Sequence, residues 1–371
     1  MIISDNSKRF QVIWDLGRRC TYACTYCPPH RNNKWSPKSS FASLERTLEG
    51  IHDYIGLIES FRDLDHKYMR KLSFTGGEPT IHDDLWPFLE MVAEKYPEYS
   101  RGITTNGYFG DNILQKMKDL TTGGTISYHP EATPEQKKRV VENIFELKDK
   151  YFVNVMFHKD YFNECKLLSE RLKNEGVNFS VRPIGDDGDD QTSIDKGYTH
   201  VYTDTQQQYF NSVFGREESL ALGRGCCGKR KFSLDGHVSS RVDNTNFFGY
   251  SCFNHFYFLY INSELDRVWT HQTCGVNWMD GTVKPLGTAS SFGEVVDELS
   301  DLVFRRRLPI VKCPKTYCGC GMCTDKTNRG VEPFMTKWIE GMQPHFVQGP
   351  PTTTNVNTVR EEFAKLDTIQ N

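Results

Sequence analysis

The sequence lacks a long apolar stretch and a targeting segment. No apolar run approaches the roughly 20 residues that a membrane-spanning helix needs. Residues 1–9 contain no hydrophobic segment of the kind that signal peptides carry. We therefore expect a soluble, cytoplasmic protein with no membrane partner.

An excess of basic charge is also missing. The 45 Lys and Arg residues are balanced by 48 Asp and Glu residues, which leaves a formal net charge of -3. A protein that binds a phosphate backbone usually carries a strong positive footprint. Nucleic acid is therefore not the partner that this sequence favours.

Low-complexity composition is the third absence. Hydrophobic residues make up 37% and aromatic residues 13% of the 371 residues, which is enough to bury a sizeable core. A disordered or collagen-like chain is excluded. The length favours one large domain with one or two smaller ones.

Cysteine is abundant, and its pattern argues against disulfides. Twelve cysteines in a long chain without a signal peptide indicate metal ligation or thiol chemistry. Three of them, Cys20, Cys24 and Cys27, are close enough in sequence for one loop to hold three corners of a four-iron cluster. The fourth iron would stay open to a ligand. A zinc knuckle or a set of reactive thiols is the alternative.

Short β-type runs alternate with helical patterns up to about residue 185, which is typical of βα units around a parallel sheet. One predicted helix has apolar residues at steps of three and four from Leu44 to Ile58, and another begins at a capping box at Thr133 and runs to about Lys150. The predicted strands are Phe10–Asp15, Lys71–Phe74, Gly102–Thr105, Thr125–Tyr128, Val153–His158 and Asn178–Arg182.

These six units predict an α/β fold, namely a partial (β/α)6 barrel of the TIM type. The βα rhythm stops at a polar, turn-rich break over residues 185–190. We expect the barrel over residues 8–200, a linker over 201–222, a small cysteine-rich α+β domain over 223–333, and a C-terminal tail over 334–371.

Two motifs in the predicted barrel resemble those of the radical S-adenosylmethionine (SAM) superfamily. The first is Cys-x3-Cys-x-aromatic-Cys, with Tyr26 as the aromatic residue, after the first predicted strand. The second is a Gly-Gly-Glu motif after the second strand, made by Gly76, Gly77, Glu78 and Pro79. The resemblance covers residues 10 to about 185. It implies a 4Fe-4S cluster on the three cysteines, with its open iron bound by S-adenosylmethionine.

The resemblance also implies a set of cofactor contacts. The carboxylate of Glu78 matches the amino group of the cofactor, and the two glycines let the backbone approach it. Tyr26 and Pro79 belong to the same motifs. Polar residues at the ends of the third, fourth and sixth strands would add contacts, although a loop cap or a satisfied polar group is the alternative for each. These residues are Thr105, Asn106, Ser127, His129 and Arg182.

The implied chemistry is reductive cleavage of the cofactor to a 5′-deoxyadenosyl radical, which abstracts hydrogen from a substrate. The electron would come from an external reductant such as a flavodoxin or a ferredoxin. The cofactor supplies the difficult chemistry, so the protein needs few catalytic residues of its own. The sequence identifies no catalytic acid or base.

A second group of cysteines lies beyond residue 225. Four thiolates hold one cubane, so their number permits one or two auxiliary clusters, and a structural zinc site is the alternative. The region resembles the SPASM or twitch extensions of radical enzymes that mature peptides, because Cys227 is followed by Leu234–Val238, although Arg241 stands where that pattern has its next cysteine. The candidate ligands are Cys226, Cys227, Cys252, Cys274, Cys313, Cys318, Cys320 and Cys323.

The leading functional hypothesis is an enzyme that modifies a ribosomally made peptide or protein, because such extensions accompany peptide substrates in the families that they resemble. The predicted barrel begins at Phe10, so peptide recognition would need a separate recognition protein or the C-terminal tail. A radical dehydrogenase or rearrangement enzyme that acts on a small molecule is the second hypothesis. A non-catalytic metal-binding interaction module is the third; it would explain the cysteines but not the Gly-Gly-Glu motif.

Overall fold

The computed structural model describes residues 9–27, 39–60, 69–184, 202–206, 208–210, 212, 251–252, 257–270, 284–297, 311–312 and 326–327. The chain divides into two compact units. The barrel unit comprises Ile13–Phe41 and Lys71–Gly223, and the second unit comprises Met1–Val12, Ala42–Arg70 and Arg224–Asn371. None of the described helices is long and apolar enough to span a membrane.

The barrel unit is built on a sheet of six strands in the order β6-β5-β4-β3-β2-β1. Neighbouring strands from β3 to β6 pair in parallel, in register from Gly102 opposite Gly123 to Phe157 opposite Pro183. The predicted α/β class and partial parallel barrel are therefore confirmed. The strands are β1 (Arg9–Asp15), β2 (Met69–Thr75), β3 (Tyr99–Thr105), β4 (Gly123–Tyr128), β5 (Tyr151–Phe157) and β6 (Phe179–Pro183).

Four helices follow successive strands of this unit. They are α2 (Leu85–Lys95), α3 (Asp111–Leu120), α4 (Pro134–Glu146) and α5 (Phe162–Asn174). The strands alternate between a buried apolar face and a more polar face, as β5 shows with Val153 and Val155 buried and Asn154 between them half-exposed. One face of the sheet thus packs in the core, and the other is less buried and carries both polar and apolar side chains, which in β5 are Phe152, Asn154 and Met156.

The helix α4 begins where it is predicted to begin, but it ends earlier than predicted. The capping box between Thr133 and Gln136 is present in both directions. The helix ends at Glu146 rather than near Lys150, and β5 begins at Tyr151, two residues before its predicted start. The reason is the side chain of Tyr151, which is buried and donates a hydrogen bond to Thr121 Oγ1 at 2.7 Å.

The second unit contains α1 (Phe41–Ser60), in which the predicted apolar positions from Leu44 to Ile58 are buried. The strand β1, of which Arg9–Val12 belongs to this unit, is followed in sheet order by the antiparallel pair β8 (Phe258–Asn262) and β9 (Arg267–Trp269). A separate three-stranded sheet has β7 (Ser251–Cys252) between β10 (Val311–Lys312) and β11 (Lys326–Thr327).

Most of the second group of cysteines lies outside the described residues. Cys252 lies in β7. The predicted auxiliary clusters and the predicted domain boundaries therefore stay predictions. Seven of the predicted ligands lie outside the described part of the chain. They are Cys226, Cys227, Cys274, Cys313, Cys318, Cys320 and Cys323.

A buried ion pair in the second unit provides a test of stability. Arg70 Nη2 lies 2.6 Å from Glu59 Oε2, and the two side chains are only 6% and 7% exposed. We expect Arg70→Met to lower the free energy of unfolding by about 3 kcal/mol, because it leaves the Glu59 carboxylate buried without its cation. Urea unfolding followed by circular dichroism measures this change.

The matched control is Lys118→Met. Lys118 pairs with Glu146 at the same distance of 2.6 Å, but these side chains are 36% and 56% exposed. Its loss should change stability by less than about 1 kcal/mol. Equal effects of the two substitutions would show that burial does not govern the Arg70 pair.

Candidate active site

The loop that follows β1 carries the cysteine triplet and lies against the loop that follows β2. The Gly77 N–H donates to Gly17 O at 2.7 Å, and the Glu78 N–H donates to Arg19 O at 2.7 Å. The Leu16 N–H adds a bond to Thr75 O at 2.9 Å. The two motifs are therefore joined through their main chains immediately before Cys20.

The two glycines of Gly-Gly-Glu are required by this close approach. A Cβ on Gly77 would lie 2.2 Å from Arg19 O, and one on Gly76 would lie 2.4 Å from Gly17 O. Gly76 also has a φ of 135°, which other residues rarely adopt. The sequence predicts that a bound ligand approaches these glycines. In the structure, the loop that carries the cysteines lies against them.

The carboxylate of Glu78 is fully buried and joins the ends of β2 and β3. Its Oε1 accepts hydrogen bonds from Thr80 N, Thr80 Oγ1 and Thr105 Oγ1 at 3.1, 2.7 and 2.8 Å, and its Oε2 accepts from Asn106 N at 2.7 Å. Burial raises the pKa of this carboxyl, and the four donors oppose that effect. Thr105 and Asn106, both predicted site residues, are thus brought to Glu78, which also caps the 3₁₀ turn at Pro79.

The three thiols are half-buried and form no disulfide. Tyr22 N lies 3.4 Å from Cys20 Sγ, and Asn106 Nδ2 lies 3.8 Å from the same sulfur while donating to Thr21 Oγ1 at 2.8 Å. Burial raises the pKa of Cys24 to about 12. Within the described residues no three His, Cys, Asp or Glu side chains are arranged to hold one metal ion. A four-iron cluster requires a wider arrangement, because each thiolate binds a different iron.

Tyr26 and His129, predicted separately, contact each other. The Tyr26 hydroxyl lies 2.6 Å from His129 Nδ1, and the two rings stack with centroids 5.9 Å apart. Burial lowers the pKa of His129 to about 4, so the imidazole is neutral near pH 7. A hydrogen bond therefore links the Tyr26 hydroxyl and His129 Nδ1, and the tautomer of the imidazole decides which of the two donates. This pair joins the cysteine loop to the end of β4.

Glu131 is a site residue that sequence reasoning missed. Its carboxylate accepts hydrogen bonds from Thr25 N at 2.6 Å and from Thr25 Oγ1 at 2.5 Å, in the middle of the cysteine loop. His158 Nε2 lies 3.4 Å from the same carboxylate. The only signal in the sequence was the position of Glu131 two residues after His129, in the turn that follows β4.

Ser127 and Arg182 belong to a second polar group on the sheet. Ser127 lies opposite Asn154 in the register of β4 and β5, and Asn154 lies opposite Ser180 in β6. Asn154 Oδ1 accepts from Ser180 Oγ at 2.8 Å and from Arg182 Nε at 3.4 Å. These residues form a polar row across β4, β5 and β6, and their predicted contact with the cofactor stays a prediction.

Comparison with known families gives the same reading for the barrel region. Residues 14–190 match the family model described as the Radical SAM superfamily. Among curated relatives, the GTP 3′,8-cyclase of Sulfurovum sp. (strain NBC37-1) is 31% identical over 101 residues, which is 27% of this chain and 28% of that protein. The corresponding enzyme of Nautilia profundicola is 32% identical over 101 residues. The chain thus matches these relatives over less than a third of their length.

The comparison with solved structures covers a larger part of this chain. The structure of anSMEcpe with bound AdoMet and Cp18Cys peptide has a TM-score of 0.50 and 13% identity, and the match covers 98% of this chain and 97% of that chain. Streptococcus suis SuiB bound to precursor peptide SuiA has a TM-score of 0.48 and 15% identity, with 77% and 63% coverage. The first of these likenesses supports a shared fold.

The contact between the two loops yields a prediction at Gly77. We expect Gly77→Ala to reduce the affinity for iron about tenfold or more, because its Cβ would displace the backbone that precedes Cys20. Iron content after anaerobic reconstitution measures the effect. Gly110→Ala is the control, since a Cβ there meets no atom within 4 Å. A Gly77→Ala protein that loads iron normally would contradict this account of the loop.

The carboxylate of Glu131 yields a second prediction. Glu131→Ala frees the segment between Cys24 and Cys27, so we expect a chelator to remove iron about ten to a hundred times faster than from the unmodified protein. Glu142→Ala is the control, because Glu142 is exposed and its partner Arg139 lies at 3.7 Å. Equal rates of iron loss in the two variants would show that the bonds to Thr25 do not stabilise the loop.

Proposed function

We propose that this protein is an enzyme that cleaves S-adenosylmethionine reductively and abstracts hydrogen from a substrate, because residues 14–190 match the model of the Radical SAM superfamily, whose members use a 4Fe-4S cluster and this cofactor. The observation that carries this proposal is the main-chain contact between the two motif loops. Its two hydrogen bonds of 2.7 Å bring a set of three thiols and a buried carboxylate to one edge of the sheet.

The residues present fit the two cofactors. Cys20, Cys24 and Cys27 would hold three irons, and the open iron would bind the amino and carboxylate groups of S-adenosylmethionine. A cation at the thiols would offset the burial that raises the pKa of Cys24. When bound, the two groups supply one-electron cleavage of a carbon–sulfur bond and a 5′-deoxyadenosyl radical.

The hydrogen-bond pattern of Glu78 is compatible with one further donor. Among the described residues, its Oε1 accepts three hydrogen bonds, whereas its Oε2 accepts one. A carboxylate oxygen has about two lone-pair sites, so Oε2 retains an acceptor position. We propose that this position receives the amino group of the cofactor. The protein fixes the carboxylate in place through Thr80, Thr105 and Asn106.

For the substrate we propose a ribosomally made peptide or protein. The support is the cysteine-rich sequence beyond residue 225, which resembles the extensions of peptide-maturing enzymes. Two of the proteins with a similar fold are described as bound to peptides, anSMEcpe to Cp18Cys peptide and SuiB to SuiA. A separate recognition protein and an external reductant such as a flavodoxin or a ferredoxin would complete the system.

A small-molecule substrate is the second candidate, and the curated relatives favour it. They are named GTP 3′,8-cyclase, and they align with this chain over 101 residues at about 31% identity. A nucleotide would need cationic and polar groups in the barrel. The polar row that includes Asn154 and Arg182 offers such groups on the open face of the sheet.

Formation of 5′-deoxyadenosine tests the radical chemistry. We expect the reconstituted protein, incubated without oxygen with S-adenosylmethionine and dithionite, to release 5′-deoxyadenosine, and Cys24→Ala to release only a background amount. Cys165→Ala is the matched control, because Cys165 is a fully buried thiol in α5 with its sulfur 3.5 Å from Met156 O. An iron-loaded protein that forms no 5′-deoxyadenosine would contradict the proposal.

Substrate identity is tested separately. Short peptides encoded beside the gene, and GTP as the small-molecule probe, are each added to the reaction. The peptide proposal expects faster formation of 5′-deoxyadenosine and a mass change in one peptide, with GTP unchanged. Consumption of GTP without any effect of the peptides would replace the peptide proposal with the small-molecule one.

A further inference from the structure

The side chain of Tyr22 lies inside the cysteine loop, two residues from both Cys20 and Cys24. It is only 6% exposed. Its ring packs on Tyr108 with centroids 6.1 Å apart and meets the edge of His129 at 5.8 Å. The ring is therefore held firmly between the ends of β3 and β4. Sequence reasoning assigned this residue no role.

The Tyr22 hydroxyl has no hydrogen-bond partner among the residues that the structure describes. Other tyrosines of the barrel unit show the usual arrangement, in which a buried phenol is bonded. Tyr151 donates to Thr121 Oγ1 at 2.7 Å, Tyr128 to Glu164 at 2.5 Å, and Tyr202 to Phe157 O at 2.6 Å. A buried hydroxyl without a partner destabilises the fold, so its position needs an explanation.

The surroundings of this hydroxyl supply one. Glu78, Cys24 and Cys20 lie close enough to act on it electrostatically. These are the residues that hold the two cofactors in the proposed function. Tyr22 thus lies in the loop of the proposed cluster ligands, and its ring contacts residues at the ends of β3 and β4.

We propose that the Tyr22 hydroxyl donates a hydrogen bond to an anionic acceptor of the bound cofactors. The acceptor is either a sulfur of the iron–sulfur cluster or the carboxylate of S-adenosylmethionine. The inference rests on the proposed function and adds a cofactor-binding residue to it. Binding of the cofactors then satisfies a donor that has no partner among the described residues.

The variant Tyr22→Phe isolates the hydroxyl, because the phenylalanine ring keeps the packing on Tyr108 and His129. Tyr151→Phe is the matched control, since it removes a buried hydroxyl that already has a protein partner. In the unloaded proteins we expect urea to unfold Tyr151→Phe at a lower concentration than the unmodified chain. Tyr22→Phe should unfold at the same or a higher concentration, because no protein hydrogen bond is lost.

In the reconstituted proteins two measurements identify the acceptor. If it is a cluster sulfur, the midpoint potential of Tyr22→Phe falls before S-adenosylmethionine is added. If it is the cofactor carboxylate, the potential is unchanged and the Kd for S-adenosylmethionine rises about tenfold or more. Both quantities should stay unchanged in Tyr151→Phe. The first is read by redox titration with electron paramagnetic resonance and the second by equilibrium binding.

Two results would overturn the inference. One is a Tyr22→Phe protein with an unchanged potential and an unchanged Kd while the unmodified protein binds and cleaves S-adenosylmethionine. The other is a loss of stability in unloaded Tyr22→Phe as large as that in Tyr151→Phe, which would mean that the hydroxyl has a protein partner. Failure of the proposed function differs from both, because the unmodified protein would then neither bind nor cleave S-adenosylmethionine.

Discussion

The site depends on the contact between two loop backbones, in which Gly77 and Glu78 donate hydrogen bonds to the carbonyls of Gly17 and Arg19. The contact requires glycine, since a Cβ at Gly77 would overlap Arg19 O. It fixes where the cysteine loop begins. The carboxylate of Glu78 extends the same constraint to β3 through Thr105 and Asn106. The thiols are therefore positioned by a framework of hydrogen bonds within the protein.

A second layer holds the loop farther along its length. Glu131 binds Thr25 through its carboxylate, and His129 Nδ1 is hydrogen-bonded to the Tyr26 hydroxyl. Both partners come from the turn after β4. The cysteine loop is thus held at its start by the loop after β2 and in its middle by the turn after β4. A loop held at two places loses less conformational entropy when a cluster binds, which favours cluster binding.

The strands, the helices and the two motifs could be predicted from the sequence, because each depends on residues that are close together in the chain. Strands and helices follow from periodicity within a few residues, and motifs such as Gly76-Gly77-Glu78 combine unusual residue types. Glu131 could not be found in this way, because it accepts hydrogen bonds from Thr25, a residue 106 positions away in the chain. Tyr22 could not be found either, because it differs from other tyrosines only in that its hydroxyl has no partner within the described residues. The contact of the glycines with the cysteine loop was not predicted for the same reason, because sequence spacing does not show which segment approaches a glycine.

In the proposed function both motifs bind the cofactors, so discrimination between a peptide and a nucleotide would come from other residues. The row from Ser127 through Asn154 to Ser180 lies on the polar face of the sheet, with Arg182 bonded to Asn154. Ser180 and Arg182 share the Oδ1 oxygen of Asn154. We expect a substrate group that binds either Ser180 or Arg182 to change the hydrogen bond that the other makes with Asn154.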